Sequence, residues 1–584
     1  MNPEIKNCQN CKKEFTIETE DFSFYKKMKV PPPTFCPECR MQRRLAWRNE
    51  RGLYRRNSDV PGKENEQIIS TYPPTINVKV YDNDYWWSDN WEPTDYAMEY
   101  DFSRPFFEQF RELLSKVPLI SFADSKGVNN QYCNYITEGK NCYMLSAAWS
   151  CEDCLLGNRN SFCKETVDSY VCHKTEFSYG NIYCGESYKL FYSEHSYNCT
   201  DSYFLYDCRN CIDCFMCYGL RNKSYCIENV QYTQEEYREK MKDINLGNYE
   251  TVENNKTYFN KFKQNAVRKY ANNTKCINVT GDNVENAKDA QYCFDLPGGI
   301  ENIKYCNWGT YGLKDSYDTG PGTGGKSEMT YEGVSIGVAN ANCSFGAIVW
   351  NSSNVQYAFN CYSTNNCFGV VSLKSKSYCI LNKQYTKEEY NELLPKVIQH
   401  MNDMPYVDKK GRVYKYGELF PIELSPYAYN GATVQDFFPL DKATAVGEGF
   451  NWQDETERNY EVTLPASSIP LNIEEVKNDI LSQTLGCINA SGDVQGCTKA
   501  FRLVSKELDF YKRFNIPIPH FCPNCRHAER VSRRNPMKLW HRQCMCDKTN
   551  HGHAAKCEVE FETAYAPDRP EIVYCEKCYQ QEIY

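Results

Sequence analysis

Between residues 130 and 400 the apolar positions recur at a fixed distance that is not helical. Tyr170, Tyr179, Tyr188, Tyr197, Tyr206 and Phe215 stand nine residues apart, and two positions after each come Cys172, Asn181, Leu190, Cys199, Cys208 and Cys217. Serine precedes the first four aromatics, at Ser169, Ser178, Ser187 and Ser196. On an extended strand positions i and i+2 share a face, so the aromatic and the cysteine of each unit lie together. A repeat of this kind predicts nine-residue half-coils of a parallel β-solenoid, whose inward residues stack in ladders. The register extends upstream through Tyr143/Leu145 and Ser161/Cys163, and downstream to Ser224/Cys226.

A longer repeat contains the short one. "NKSYCIENVQYTQEEYREKM" (Asn222 to Met241) returns as "SKSYCILNKQYTKEEYNELL" (Ser375 to Leu394), 153 residues on, and the same offset carries Cys208, Cys214 and Cys226 onto Cys361, Cys367 and Cys379. Each "YTxEEY" offers Thr as an N-cap with glutamates in the first turn, a helix start suited to lidding a stack. The pattern therefore predicts a mainly β, two-lobed parallel β-solenoid, with lobes at 130–245 and 276–400, a helical connector at 246–275 and a few capping helices. In the 57–129 segment, a polar linker and the acidic aromatic stretch Tyr81–Phe102 precede Asp101–Pro118. The latter reads as an amphipathic helix capped by Asp101 or Ser103, with Pro105 in its first turn. Its stripe of Phe106, Phe110, Leu113 and Leu114 is suited to the core or to plugging the N-terminal end of the solenoid. Trp86, Trp87 and Trp91 read as packing residues ahead of a stacking site for a sugar or base. Residues 401–486 form a connector ending in an expected helix, "IEEVKNDILSQTL".

Cysteine pairs at both ends change the picture. Cys8-x-x-Cys11 and Cys36-x-x-Cys39 have the spacing of a zinc ribbon at 1–56, two knuckles joined by a hairpin and aimed at one tetrahedral ion. A second ribbon at 487–542 preserves the 25 residues from Cys11 to Cys36 as Cys497 to Cys522, with Cys525 following. Val494 stands where Cys8 would be, and Cys487 is the nearest thiol able to replace it. The third ribbon, 543–584, takes Cys557, Cys575 and Cys578, with Cys546 as its fourth ligand, Cys544 the alternative, and His551 and His553 behind both. Three zinc ions in closed sites are the expectation, with a structural rather than catalytic role.

Within the first lobe Cys208, Cys211, Cys214 and Cys217 have the spacing of part of a ferredoxin motif. Two of them already belong to the repeat and no proline follows, so buried cysteine, not an iron–sulfur cluster, is expected there. "GPGTGGKSE" (Gly320 to Glu328) fits the phosphate-loop expression, but no buried strand precedes it and no helix follows. It reads as a flexible loop inserted in the second lobe.

Charge adds one functional feature. Net charge is −9, yet Arg40 to Arg56 holds seven arginines against Glu50 alone. Arg40, Arg43, Arg44, Arg48, Arg51 and Arg55 would line one face of a helix leaving the ribbon. Arg526, Arg530, Arg533 and Arg534 follow the second ribbon in the same way. Guanidinium forks on two zinc ribbons suit RNA or DNA phosphates; pairing with the acids of Tyr81–Phe102 is the competing reading. The 33 cysteines are odd in number and largely at metal-ligand spacing, which points to a reducing cytoplasm rather than disulfides. No signal-like or membrane-length apolar run is present, so no membrane association is expected.

The ribbons "CPECR" and "CPNCR", the Cys-rich nonapeptides, "YTKEEY", "SPYAYN" and "YAPDRPEIVYCEKCY" together resemble a group of multi-zinc-ribbon, nonapeptide-repeat proteins of uncultured bacteria with reduced genomes. The resemblance covers nearly the whole chain and implies a family rather than an activity. Some members carry a label as CaiB/BaiF-type coenzyme A transferases; that label implies an α/β fold with a catalytic aspartate, and the alternating strand and helix pattern such a fold requires is not found. The expectation is thus a zinc-binding, non-catalytic binding or scaffold protein contacting RNA or DNA through its ribbons. The alternatives are a protein–protein scaffold with partners along the solenoid and, last, a transferase-like enzyme. The eight histidines form no recognisable catalytic pair.

Overall fold

The computed structural model describes residues 2–454, 461–492 and 496–584. The fold is mainly β with a few helices, and the chain forms two compact units, each assembled from distant segments. One comprises Met1–Phe122, Ala271–Asp454 and Met537–Leu539; the other comprises Ala123–Tyr270, Glu455–Pro536 and Trp540–Tyr584. Among the described residues no helix is long and apolar enough to cross a membrane.

The unit holding Ala123–Tyr270 is built on a parallel stack in which each segment pairs with the one twelve residues on, as in Lys164↔Glu176, Glu176↔Tyr188 and Tyr188↔Thr200. From Lys126 to Glu228 every third residue has positive φ, and only Gly180 and Gly219 among these are glycines. A turn of twelve residues with a left-handed corner every third residue is four-sided. Residues other than glycine resist that conformation by about 1–2 kcal/mol each; here every corner is locked by hydrogen bonds. Corner amides donate one turn back, as Asn141 does to Val128 and Asp153 to Lys140, at 2.9 Å in both cases. The residue before each corner donates forward, as Val128 does to Gly139 at 2.9 Å.

The third residue of each side points inward, and its amide needs an acceptor in the core. Where the inward residue one turn below is Ser, Asn or Cys, its side chain supplies it. Cys199 donates to Ser187 Oγ at 3.1 Å, Cys214 to Ser202 Oγ at 3.0 Å, Cys172 to Asn160 Oδ1 at 3.2 Å and Leu145 to Cys133 Sγ at 3.4 Å. Cys, Ser, Thr and Asn fill this column because they are small and carry an acceptor. The thiols in turn donate to carbonyls, Cys142 to those of Lys140 and Cys151 at 3.4 Å. Cysteine here is a hydrogen-bonding core residue and not only a small apolar one. The nine-residue spacing seen in the sequence is three sides of a four-sided turn; the structural unit is the triplet.

The stack of the other unit, Ile277–Ile380, pairs less evenly. Its offsets are 13 at Lys288↔Glu301, 14 at Lys314↔Glu328 and 12 from Ser353↔Asn365 onward. The widest turn contains Gly320–Ser327, which is part of the stack and not an inserted flexible loop. Gly320 donates to Gly333 at 2.9 Å and Gly322 to Trp308 at 2.7 Å, and the Ser327 hydroxyl lies 2.6 Å from both the Gly324 and Gly337 carbonyl oxygens, either of which can accept its proton. Amides spent in this way cannot cradle phosphate.

Helices lid both stacks as expected, Gln234–Lys242 and Lys387–Asp403, each with a complete capping box on Thr233 or Thr386. Two helix expectations are corrected. The amphipathic helix spans Phe106–Lys116, beginning only after Pro105, while Asp101 accepts hydrogen bonds from Ser103. Its stripe is buried, and Phe106 packs on Tyr357 and Phe368, each with 5.3 Å between ring centroids; it covers the wall of the later stack rather than plugging an end. "IEEVKNDILSQTL" forms two short 3-10 turns, Ile473–Glu475 and Asn478–Ser482. Trp86 is buried, donates to the Pro118 carbonyl at 3.2 Å and packs against Trp91 and Tyr362, a core role.

Candidate metal centres

Three times the chain builds the same four-sulfur cage. A short strand ends immediately before the first cysteine: Glu4–Asn7 before Cys8, Leu485–Gly486 before Cys487, Trp540–Gln543 before Cys544. Its antiparallel partner begins three residues after the second: Glu14 after Cys11, Ala500 after Cys497, Glu560 after Cys557. The third cysteine is the N-cap of a helix and the fourth lies in its first turn: Pro37–Leu45 for Cys36 and Cys39, Pro523–Ser532 for Cys522 and Cys525, Glu576–Ile583 for Cys575 and Cys578. The second knuckle is thus a helix start, and between the knuckles of the first two cages runs a helix, Thr19–Met28 or Ser505–Phe514, where the sequence suggested a strand hairpin. A helix N-terminus favours thiolate over thiol.

The cages are closed in the same way. The amide of the third cysteine donates to the sulfur of the first at 3.2 Å in all three, Cys36 to Cys8, Cys522 to Cys487 and Cys575 to Cys544. In each group the four sulfurs lie within 4.8 Å of one another. Measured edges are 3.7 Å for Cys11–Cys36, 3.9 Å for Cys487–Cys525 and 4.0 Å for Cys497–Cys522 and Cys557–Cys575. A tetrahedron with metal–sulfur bonds near 2.3 Å has edges of about 3.8 Å, so the cages are sized for such an ion. Thiols packed this closely share protons: hydrogen bonding to Cys487 is the largest cause drawing Cys522 down to about 4. Cys487 takes the place expected for it. Cys544, not Cys546, completes the third cage; Cys546 instead groups with His553 and Cys578.

Cys208, Cys211, Cys214 and Cys217 occupy the four successive inward positions of a single turn and are fully buried. Each thiol donates to the carbonyl two residues before it, at 3.2–3.5 Å. They serve the ladder; among the described residues they are not in a group whose ligand atoms all lie within 4.8 Å of one another.

The arginine bursts lie mostly inside the protein. Only Pro37–Leu45 is helical in the first burst; Arg55 is exposed on the strand Tyr54–Asn57, and Arg51 is half-exposed. Arg40 and Arg44 each reach Asp318 at 2.9 Å, and Arg43 grips Glu332 with two bonds of 2.8–2.9 Å and Glu418 at 3.0 Å. Arg48 pairs with Glu50 at 2.6 Å. In the other unit Arg526 and Arg530 share Asp168, Arg530 at 2.7 Å, and Arg526 also meets Glu507 at 3.2 Å. Arg533 is half-buried against Glu194, and Arg534 donates to the Val531 carbonyl. The one-face helix exposed to phosphate is therefore corrected: Arg40, Arg43, Arg44, Arg48, Arg526 and Arg530 are all at most 6% exposed. They do pair internally, with Asp318, Glu332, Glu418, Glu50, Asp168 and Glu507. Asp168 and Asp318 both sit at left-handed corners of a stack, and each is clamped by the first and fifth residues after its ribbon's last cysteine.

Electrostatics follow from this burial. Burial raises the pKa of Asp168, but Arg526 and Arg530 outweigh it and hold the group below the usual carboxylate value. Glu194 behaves likewise between Lys263 at 2.7 Å and Arg533 at 3.2 Å, and its pKa falls from 4.5 to about 2. Burial weakens Lys263 as a base, and Glu194 restores part of that loss. A depressed carboxylate contributes stability that is complete above its unfolded pKa and is lost as pH falls through the folded one. Acid titration followed by tyrosine fluorescence should therefore show a destabilisation between about pH 4.5 and 2, worth about 3 kcal/mol from Glu194. Glu194→Gln should remove that part of the pH dependence; an unchanged profile would refute the assignment.

Compared with known proteins, the chain matches no family model and no curated sequence.

Proposed function

We propose that the chain is a zinc-stabilised, non-catalytic scaffold whose two stacks are β-solenoid bodies offering lateral surface to protein partners. The observation that carries this reading is the interior location of the arginines: both bursts fasten a cysteine cage to a stack, so they act as clamps rather than as phosphate contacts. Zinc suits the cages because four thiolates with closed tetrahedral geometry select a soft or borderline ion and leave no position for water. RNA or DNA contact through Arg40, Arg43, Arg44, Arg48, Arg526 and Arg530 would require breaking buried ion pairs, which disfavours it.

The stack in Ala123–Tyr270 carries an exposed aromatic patch. Trp149 and Phe162 are each nearly two-fifths exposed, with ring centroids 4.9 Å apart, and His173 lies 5.6 Å beyond Phe162. Val128, Tyr188 and Ile212 are exposed on one column of the same stack. Exposed aromatics clustered on a rigid body are typical protein-contact residues. Purified wild type and a Trp149→Ser/Phe162→Ser variant should be compared on native lysate and on RNA and DNA pools. Proteins retained by wild type and lost by the variant, with no nucleic acid bound at 150 mM salt, are expected. Nucleic acid bound by both proteins with a steep salt dependence would overturn the reading.

A further inference from the structure

The third cage carries more metal-ligating side chains than one tetrahedral ion uses. Where the first cage spans two residues between Cys8 and Cys11, the loop from Cys544 to Cys557 spans twelve and includes Cys546, His551 and His553. Cys546 is fully buried, with its Sγ 3.3 Å from Nδ1 of His551, itself only 3% exposed. Nε2 of His553 lies 3.5 Å from Sγ of Cys578. The ligand atoms of Cys546, His553 and Cys578 all lie within 4.8 Å of one another, and Cys578 also belongs to the four-sulfur cage. On its far side His551 Nε2 faces Glu582 at 3.6 Å, and Glu582 is held by Lys548. An imidazole with one nitrogen toward a thiol and the other toward a carboxylate has the orientation of a metal-bound histidine with its outer support.

We propose that the third ribbon holds two divalent ions bridged by the Cys578 thiolate. The first is bound by Cys544, Cys557, Cys575 and Cys578; the second by Cys578, Cys546 and His553, while His551, which lies outside that three-ligand group but 3.3 Å from Cys546 Sγ, would complete it by a small shift of its ring. The proposal rests on the zinc reading of the cages and extends it from three ions to four. Charge favours the pair. One divalent ion in four thiolates leaves two negative charges in excess, whereas a second ion with one added thiolate and two neutral imidazoles leaves one. Binding the second ion releases the Cys546 proton to solvent; no oxidant or reductant is involved.

Native mass spectrometry of the full chain, loaded with zinc and then desalted, counts the ions. Four per wild-type chain and three in Cys546→Ser/His553→Ala are expected, because that variant leaves the four-sulfur cage intact. Three in both would overturn the bridged pair while leaving the zinc reading in place. Four in both would overturn the ligand assignment, and none in wild type would overturn the zinc reading itself. Cobalt loading gives a second readout: in wild type, coupling through the shared thiolate should quench the electron paramagnetic resonance of two ions per chain, and the double variant should recover the signal of the single remaining ion.

Discussion

Removing the zinc proposed for the cysteine cages is expected to detach them while leaving the two stacks folded. Each cage is a small assembly of two short strands and a helix start, with little core of its own, and its four sulfurs approach to 3.7–4.0 Å. Structural zinc contributes about 10–16 kcal/mol to comparable small sites, as much as or more than the whole stability of an ordinary domain. The stacks depend on different forces, namely ladder hydrogen bonds and buried inward side chains. Chelation should therefore leave the far-ultraviolet dichroism largely β while opening Pro37–Leu45 and Pro523–Ser532 to protease. Arg40, Arg43 and Arg44 on one and Arg526 and Arg530 on the other become accessible cleavage sites only when those helices leave Asp318 and Asp168. Cys39→Ser should reproduce the first cleavage and Cys525→Ser the second, each without the other. Unchanged melting and proteolysis after complete zinc removal would mean that the cages are held by packing alone.

Local features of this fold were legible, and features made by distant contacts were not. Thr233 and Thr386 with their glutamates announce helix starts, and both capping boxes are complete. The C-x-x-C spacings located eight of the twelve cage ligands, because that geometry is set by neighbouring residues; Cys497 and Cys557 follow from repeats of the first ribbon's pattern, and Cys487 from being the nearest thiol. The twelfth, Cys544, was placed second to Cys546; the usable signal was the strand end, since each cage takes the cysteine that immediately follows its first strand. The repeat shows at nine residues because a nine-residue step advances three sides of the four-sided turn, so the aromatics fall on each side in succession, whereas the twelve-residue pairing is carried by backbone that composition does not mark. The arginine partners were illegible for a different reason. Asp318 is 278 residues from Arg40 and Asp168 is 358 residues before Arg526, and nothing local distinguishes these two carboxylates from the chain's many others. A charge count finds the burst but not its direction.

Asp318→Ala is expected to destabilise its unit by about 3–5 kcal/mol, the usual consequence of removing one member of a buried ionic group. Asp318 and the guanidinium groups of Arg40 and Arg44 are essentially inaccessible to solvent. Deleting the carboxylate leaves Arg44 without its anion and Arg40 with only Glu332, at 3.6 Å, a carboxylate already engaged by Arg43. Asp168→Ala should have an equal effect in the other unit, where Arg530 loses its paired carboxylate and Arg526 keeps Glu507 alone. Exposed Arg55 is the control, and Arg55→Ser should stay within about 0.5 kcal/mol of wild type. Urea unfolding at low and at about 1 M salt separates the cases further, because buried pairs are screened far less than surface ones. The wild-type advantage over Asp318→Ala should survive high salt. A loss below about 1 kcal/mol, or one that salt abolishes, would place these arginines in solvent-like surroundings, able to leave the stack for a phosphate. The clamp and the nucleic-acid contact are thus mutually exclusive uses of the same guanidinium groups, and the energy of one aspartate decides between them.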